Sequence, residues 1–350
     1  VIRDDNALDT ILKIKFNMAE ELAIRVVITK QSPDMIIISL AMGHVFTDGD
    51  SIFTVLDLLL QNLDLEISKP IQRVAWSPRP QPHELPSILN PWHEFAGMSI
   101  FAWIQLKKNL FGYWKPLTMD RNEIVPQLRD HPEKFPHYTE TATVPKEIME
   151  KLRAACRLHK MTLTTFFNTV GMVSAMQLFQ QNRVSAQSTI NMRLRHLPTA
   201  GLGCYSADSD IATGVVKDPS KDIDFWALAA STQWMVEPKA INRAIGRSFF
   251  LRHMNIRNLP SDLMFTGDCV VTSFISANLG APRHFKPTYY KNKLSVVKTN
   301  IIYGGMTPVF CITTWKDLHL TLTTRSSMLT KKQTKDWMTT FVKLLTKLAA

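Results

Sequence analysis

Met35-Ile36-Ile37-Ile38-Ser39-Leu40-Ala41-Met42-Gly43-His44-Val45-Phe46-Thr47-Asp48-Gly49 is the stretch on which the reading of this chain turns. Its first six residues are short, rich in isoleucine and nearly unbroken by polar side chains, which predicts a strand covered on both faces. His44 then falls at a strand end, where a turn closed by Asp48-Gly49 presents one imidazole to a substrate. Beyond the turn, Ser51 is placed to cap the orphan amides of a helix. On that helix Ile52, Val55, Leu56 and Leu59 recur at i, i+3, i+4 and i+7. The histidine loop is held from both sides.

A strand, H-x-x-x-D-G and an amphipathic helix, carried here by His44, Asp48 and Gly49, resemble the signature of a large acyltransferase superfamily. Its members include nonribosomal peptide condensation domains, alcohol acetyltransferases, polyketide-associated acyltransferases and the plant H-x-x-x-D acyltransferases. Other segments resemble the same family in the same order. Leu22-Ala23-Ile24-Arg25-Val26 resembles the strand before the histidine strand, and Leu152 to Thr164 the helix, turn and Thr-Leu-Thr cap that open the second lobe. Ile190-Asn191-Met192-Arg193-Leu194-Arg195 resembles its V-D-L-R strand, and Ser276-Ala277-Asn278-Leu279-Gly280 its S-N-L-G strand. The resemblance implies an α/β fold of α+β two-layer type, built as two chloramphenicol-acetyltransferase-like lobes with the active site in a tunnel between them. The N-terminal lobe is expected over 1–120, a crossover linker over 121–136 and the C-terminal lobe over 137–350.

Three departures qualify the match. Gly43 stands where many members carry a first histidine; the family's catalytic residue is the second, which is His44 here. The plant branch's D-F-G-W-G is absent, since Asp224-Phe225-Trp226 continues differently, and this points toward the condensation and alcohol-acetyltransferase side. Only 43 residues precede His44, where family members have roughly a hundred within domains of the usual size, so the N-terminal lobe is expected to be incomplete.

Composition sets wider bounds. A chain of 350 residues with 45% hydrophobic content is ample for a packed core. Its four cysteines, Cys156, Cys204, Cys269 and Cys311, are scattered without C-x-x-C spacing. That argues against a zinc site or disulfide framework, predicts buried thiols, and suits the reducing cytoplasm. The longest apolar stretch, Leu163 to Phe179, is interrupted by Thr164, Thr165, Asn168 and Gln177 and falls short of a transmembrane span. A net charge of +11 invites an anionic partner, yet the basic residues are dispersed, with only short pairs such as Lys107-Lys108 and Lys331-Lys332. Nucleic acid is therefore not expected, whereas a phosphorylated acyl carrier benefits from the same positive field.

Along the chain, five prolines between Trp76 and Trp92 predict an extended loop, Gly97 to Trp114 a helix, and Met119 to Pro136 the crossover. Thr139 to Val144 alternates as a strand, and Pro145 opens a helix with Ile148, Leu152, Ala155 and Cys156 on one face. A helix over 163–180 and a strand over 187–193 follow. Pro308 to Trp315 and Leu318 to Thr324 read as a hairpin turned at Lys316-Asp317, with Leu318, Leu320 and Leu322 inward. A last helix from Thr330 buries Trp337, Phe341, Leu344, Leu345 and Leu348.

Acyl transfer from a thioester needs a base, because a neutral alcohol is a poor nucleophile at pH 7, and an imidazole with a pKa near 6.5 suits that role. His44 is the candidate base, returning its proton to the thiolate leaving group. Asp48 is the second candidate catalytic position. A metal is not expected, since Gly49 and the turn argue against a helix through 44–48 and no third ligand is near in sequence. The resemblance implies that Asp48 turns away and pairs with Arg193, or failing that Arg195. Gly49 is expected to supply a conformation or a close approach that a Cβ forbids. Asn278 and Gly280 are expected to line the tunnel, with Ser273 and Ser276 ordinary serines of a packed strand. No permanent cofactor is implied. The co-substrate is an acyl-CoA or a phosphopantetheine thioester on an acyl carrier protein, and the acceptor is a small-molecule alcohol or amine. The alternatives are a condensation domain confined to carrier-protein substrates and a catalytically inactive homologue acting as a binding module.

Overall fold

The computed structural model describes residues 24–44, 47–62, 134–192, 202, 204, 206–209, 211–253, 272–282, 288–289, 295–296, 298–302 and 307–350, together with Trp92, Phe95 and Ser99. These residues fall into two compact units. The first draws on Val1–Arg79, Arg193–Ser206 and Pro282–Val297, the second on Pro80–Met192, Ala207–Ala281 and Lys298–Ala350. The proline-rich loop short of Trp92, the helix expected over 97–114 apart from Ser99, and most of the crossover lie outside the described residues.

In the first unit, β1 (Ile24–Ser32) and β2 (Met35–Met42) form a two-stranded antiparallel sheet, with Ile24 opposite Met42 and Ser32 opposite Met35. Pro33-Asp34 makes the turn; proline presets the φ that the second position of a tight turn requires. The segment expected to be covered on both faces is a strand, but its first residues are exposed, Met35 at 46%, Ile36 at 42% and Ile37 at 41%. The reason is topological. An apolar run specifies an extended backbone, whereas coverage depends on which segments pair and pack with it, and β2 pairs with its neighbour in sequence.

Helix α1 (Gly49–Asn62) begins two residues earlier than Ser51 and buries Phe53, Asp57 and Leu60. Ile52, Val55, Leu56 and Leu59 are only half-buried, so the buried stripe is rotated by one residue from the predicted one. The aromatic at Phe53 takes the interior position.

The second unit is built on a seven-stranded mixed sheet. Its elements are β3 (His137–Val144), α2 (Lys146–Leu158), α3 (Leu163–Phe179), β4 (Arg183–Asn191), β5 (Ser206–Asp208), β6 (Ala212–Val215), α4 (Phe225–Thr232), α5 (Pro238–His253), β7 (Phe274–Gly280), β8 (Val309–Trp315), β9 (Asp317–Arg325) and α6 (Lys331–Leu348). Strands run in the order β3-β9-β8-β7-β4-β5, with β6 paired to β4. β4, β7 and β8 are parallel neighbours, and β8 and β9 form an antiparallel hairpin turned at Lys316, whose φ is 59°. α3 lies against β4 and β7, and α6 against β3, β9 and α3, giving the two-layer arrangement that buries one helix stripe on one sheet face.

Local signals explain the element ends. Thr162 caps α3 by accepting from the Thr165 amide, and Thr330 with Gln333 forms a capping box at α6. Pro145 is the cap of α2 rather than its first helical residue. β4 starts four residues before the predicted strand and ends at Asn191. Leu318, Leu320 and Leu322 point into the core, but His319, Thr321 and Thr323 on the other face of β9 are buried as well.

The core centres on Trp337, which is fully buried. Its ring stands edge-on to Phe179, Phe274 and Phe310, with centroids 5.1–5.7 Å away, and its indole N–H donates to Ser174 Oγ at 2.9 Å. Gly171 gives Phe274 its space, since a Cβ there falls 2.5 Å from the ring.

Candidate active site

The turn after β2 closes on itself. Thr47, buried, donates from Oγ1 to the Gly43 carbonyl at 3.2 Å, and its own carbonyl lies 2.6 Å from His44 Nδ1. A carbonyl only accepts, so His44 carries its proton on Nδ1 and Nε2 is the atom at which a proton is exchanged. His44 as a whole residue is exposed. A ring fixed in one tautomer is suited to proton transfer with an incoming group.

Asp48 ends the turn and starts the helix. Its Oδ1 accepts from the Ser51 amide at 3.0 Å, and its backbone carbonyl accepts from the Ile52 amide at 3.0 Å. Asp48 therefore caps α1, the place assigned from sequence to Ser51, and its negative charge sits at the positive end of the helix dipole. The side chain is buried. Arg193 and Arg195, its expected partners, lie outside the described residues. Gly49 opens α1 in helical conformation, and among described glycines the left-handed φ belongs to Gly280, at 63°.

Asn278 and Gly280 stand at the end of β7 in the second unit, and Asn278 donates from Nδ2 to Thr164 Oγ1 at 3.4 Å. Ser273 is tied to Ser185 through backbone and hydroxyl bonds, joining β7 to β4. Ser276 Oγ is buried and has no hydrogen-bond partner among the described residues.

One residue beside His44 escaped the sequence reading. Cys204 places Sγ 3.9 Å from His44 Nδ1 and 3.6 Å from Ser206 Oγ. That sulfur contact raises the imidazole pKa from 6.5 to about 9, with the Thr47 carbonyl adding to it and the packing around the ring opposing it. Cys204 was expected to be a buried thiol; it is partly exposed, whereas Cys156 and Cys311 are buried. Cys269 lies outside the described residues. Nothing in the spacing marks Cys204, because 160 residues separate it from His44.

Among the described residues, no group of three His, Cys, Asp or Glu side chains is disposed to hold a metal ion, and no helix is long and apolar enough to cross a membrane.

At the level of sequence, no family model and no curated protein matches the chain. Solved structures do. The cyclization-docking bidomain of the EpoB nonribosomal peptide synthetase from Sorangium cellulosum superposes with a TM-score of 0.64 at 13% identity, over 98% of this chain and 65% of that one. The PapA2 acyl transferase gives 0.54 at 10% identity, over 93% and 68%. A condensation domain that mediates chain release from the enacyloxin polyketide synthase gives 0.53 at 10%, over 93% of this chain and 60% of that one. The chain thus spans about two thirds of the length of these structures. It is a mixed α/β protein with the fold shared by condensation domains and the PapA2 acyl transferase.

Proposed function

We propose that the protein transfers an acyl group from a thioester to an alcohol or amine, with His44 moving the proton. The observation that carries this reading is the Thr47 carbonyl 2.6 Å from His44 Nδ1, which fixes the tautomer and turns Nε2 to proton exchange. The fold is consistent with such chemistry, since its neighbours include condensation domains and an acyl transferase. The donor is an acyl-CoA or an acyl phosphopantetheine on a carrier protein, which present the same thiol arm. Asp48 positions the histidine turn by capping α1 and pairing with Arg193, and Asn278 and Gly280 border the acyl path. The reduced thiols of Cys156, Cys204 and Cys311 fit a cytoplasmic setting.

The test is release of free CoA from a panel of acyl-CoA donors, and of carrier thiol from acylated carrier proteins, with and without alcohol and amine acceptors. Acceptor-dependent release is expected, falling about 100-fold in His44→Ala, the scale of a lost proton-transfer group. Equal turnover in that variant removes His44 from the mechanism.

A further inference from the structure

Cys204 and His44 form a thiol–imidazole pair that direct transfer does not use. The sulfur lies within hydrogen-bond reach of Nδ1, with the Ser206 hydroxyl on hand as a second donor. Reactivity separates it from the other described thiols. Burial pushes the Cys156 thiol up to about 11, which keeps it protonated and inert, whereas Cys204 is partly exposed and lies beside an imidazole, the setting in which a cysteine becomes nucleophilic.

We propose that Cys204 receives the acyl group from the donor as an enzyme-bound thioester before the acceptor takes it, with His44 as its proton partner. This rests on the acyl-transfer reading above and adds the order of its steps. In the first step the Cys204 thiolate attacks the donor carbonyl, the bond from that carbon to the donor sulfur breaks, and the departing thiolate takes the Nε2 proton of His44. In the second, the acceptor oxygen or nitrogen attacks the Cys204 thioester, its proton passes to His44, and the carbon–sulfur bond to Cys204 breaks. Thiolate and imidazolium are restored, and nothing is oxidised or reduced. The first step exchanges one thioester for another and so lies near thermal balance.

The experiment exposes the full chain to acetyl-, butyryl- and octanoyl-CoA without acceptor, quenches in acid and maps peptides by mass spectrometry. Expected are one equivalent of CoA released per chain and an acyl mass on the Cys204 peptide, removable by hydroxylamine and absent from Cys204→Ala. Alkylation by iodoacetamide at pH 6.5 provides a second readout that needs no donor. Cys204 is expected to react at least 10-fold faster than Cys156 and Cys311, and about 10-fold slower in His44→Gln, with folding of each variant verified by circular dichroism. Acceptor-dependent CoA release with no adduct and normal turnover in Cys204→Ala overturns the covalent step and leaves acyl transfer standing as a direct reaction. Neither release nor adduct with these acyl-CoAs or with acylated carrier proteins overturns both readings, whatever the alkylation rate.

Discussion

Tyr289 donates its phenolic hydrogen to the Asp57 carboxylate across 232 positions of sequence, both residues being buried in the first unit. The other carboxylate oxygen accepts from Gln61. Asp57 lies two turns into α1, the helix that Asp48 caps directly behind the histidine turn, so this bond anchors the element on which the turn is built. Tyr289→Phe leaves a buried carboxylate short of a donor and is expected to cost about 1–3 kcal/mol in urea unfolding. Asp57→Asn with Tyr289→Phe is expected to show coupling of at least about 0.5 kcal/mol in a double-mutant cycle, and additive losses contradict the bond.

The contact between Cys204 and His44 is expected to appear in the histidine's titration. With the sulfur present, the His44 imidazole pKa is raised to about 9; the Cys204 contact favours the charged ring, so removing it lowers the pKa. In Cys204→Ala the midpoint is expected to fall back toward 6.5, as read from the ring resonances in an NMR titration between pH 5 and 10. An unchanged midpoint excludes the contact in solution.

Asp48 separates two roles through its substitutions. Asparagine caps a helix as well as aspartate does, whereas alanine does not and costs about 0.5–2 kcal/mol. If capping is the whole role, Asp48→Asn keeps wild-type stability in thermal unfolding. The proposed pairing with Arg193 requires a charge, so Asp48→Asn is expected to lose stability too, non-additively with Arg193→Ala.

In the second unit, Gly171→Ala drives a methyl group to within 2.5 Å of a Phe274 ring already wedged against Phe310 and Trp337. Overpacking of this kind costs about 1–3 kcal/mol, against the ordinary gain of replacing a helical glycine by alanine. Phe274→Leu in the same chain is expected to recover part of the loss in chemical denaturation.

What the sequence determined by itself is local. The hairpin of β8 and β9 was legible from alternating leucines around Lys316-Asp317, α3 and α6 from their apolar residues with α6 starting near Thr330, and the histidine turn from an apolar run followed by His44 and closed by Asp48-Gly49. Each of these depends on interactions spanning a few residues, which the order of side chains specifies directly. The family resemblance added the fold, and the solved structures bear that out.

The tertiary structure alone decided the rest. Whether Met35 to Ile37 are covered depends on which strands join β2. Whether Asp57 finds a second donor beyond its helix neighbour Gln61 depends on Tyr289, and whether Cys204 is an inert thiol or a neighbour of His44 depends on chain closure over 160 residues. A contact between distant segments forms where many packing contributions together outweigh the entropy of closing the loop. No single residue's identity carries that sum.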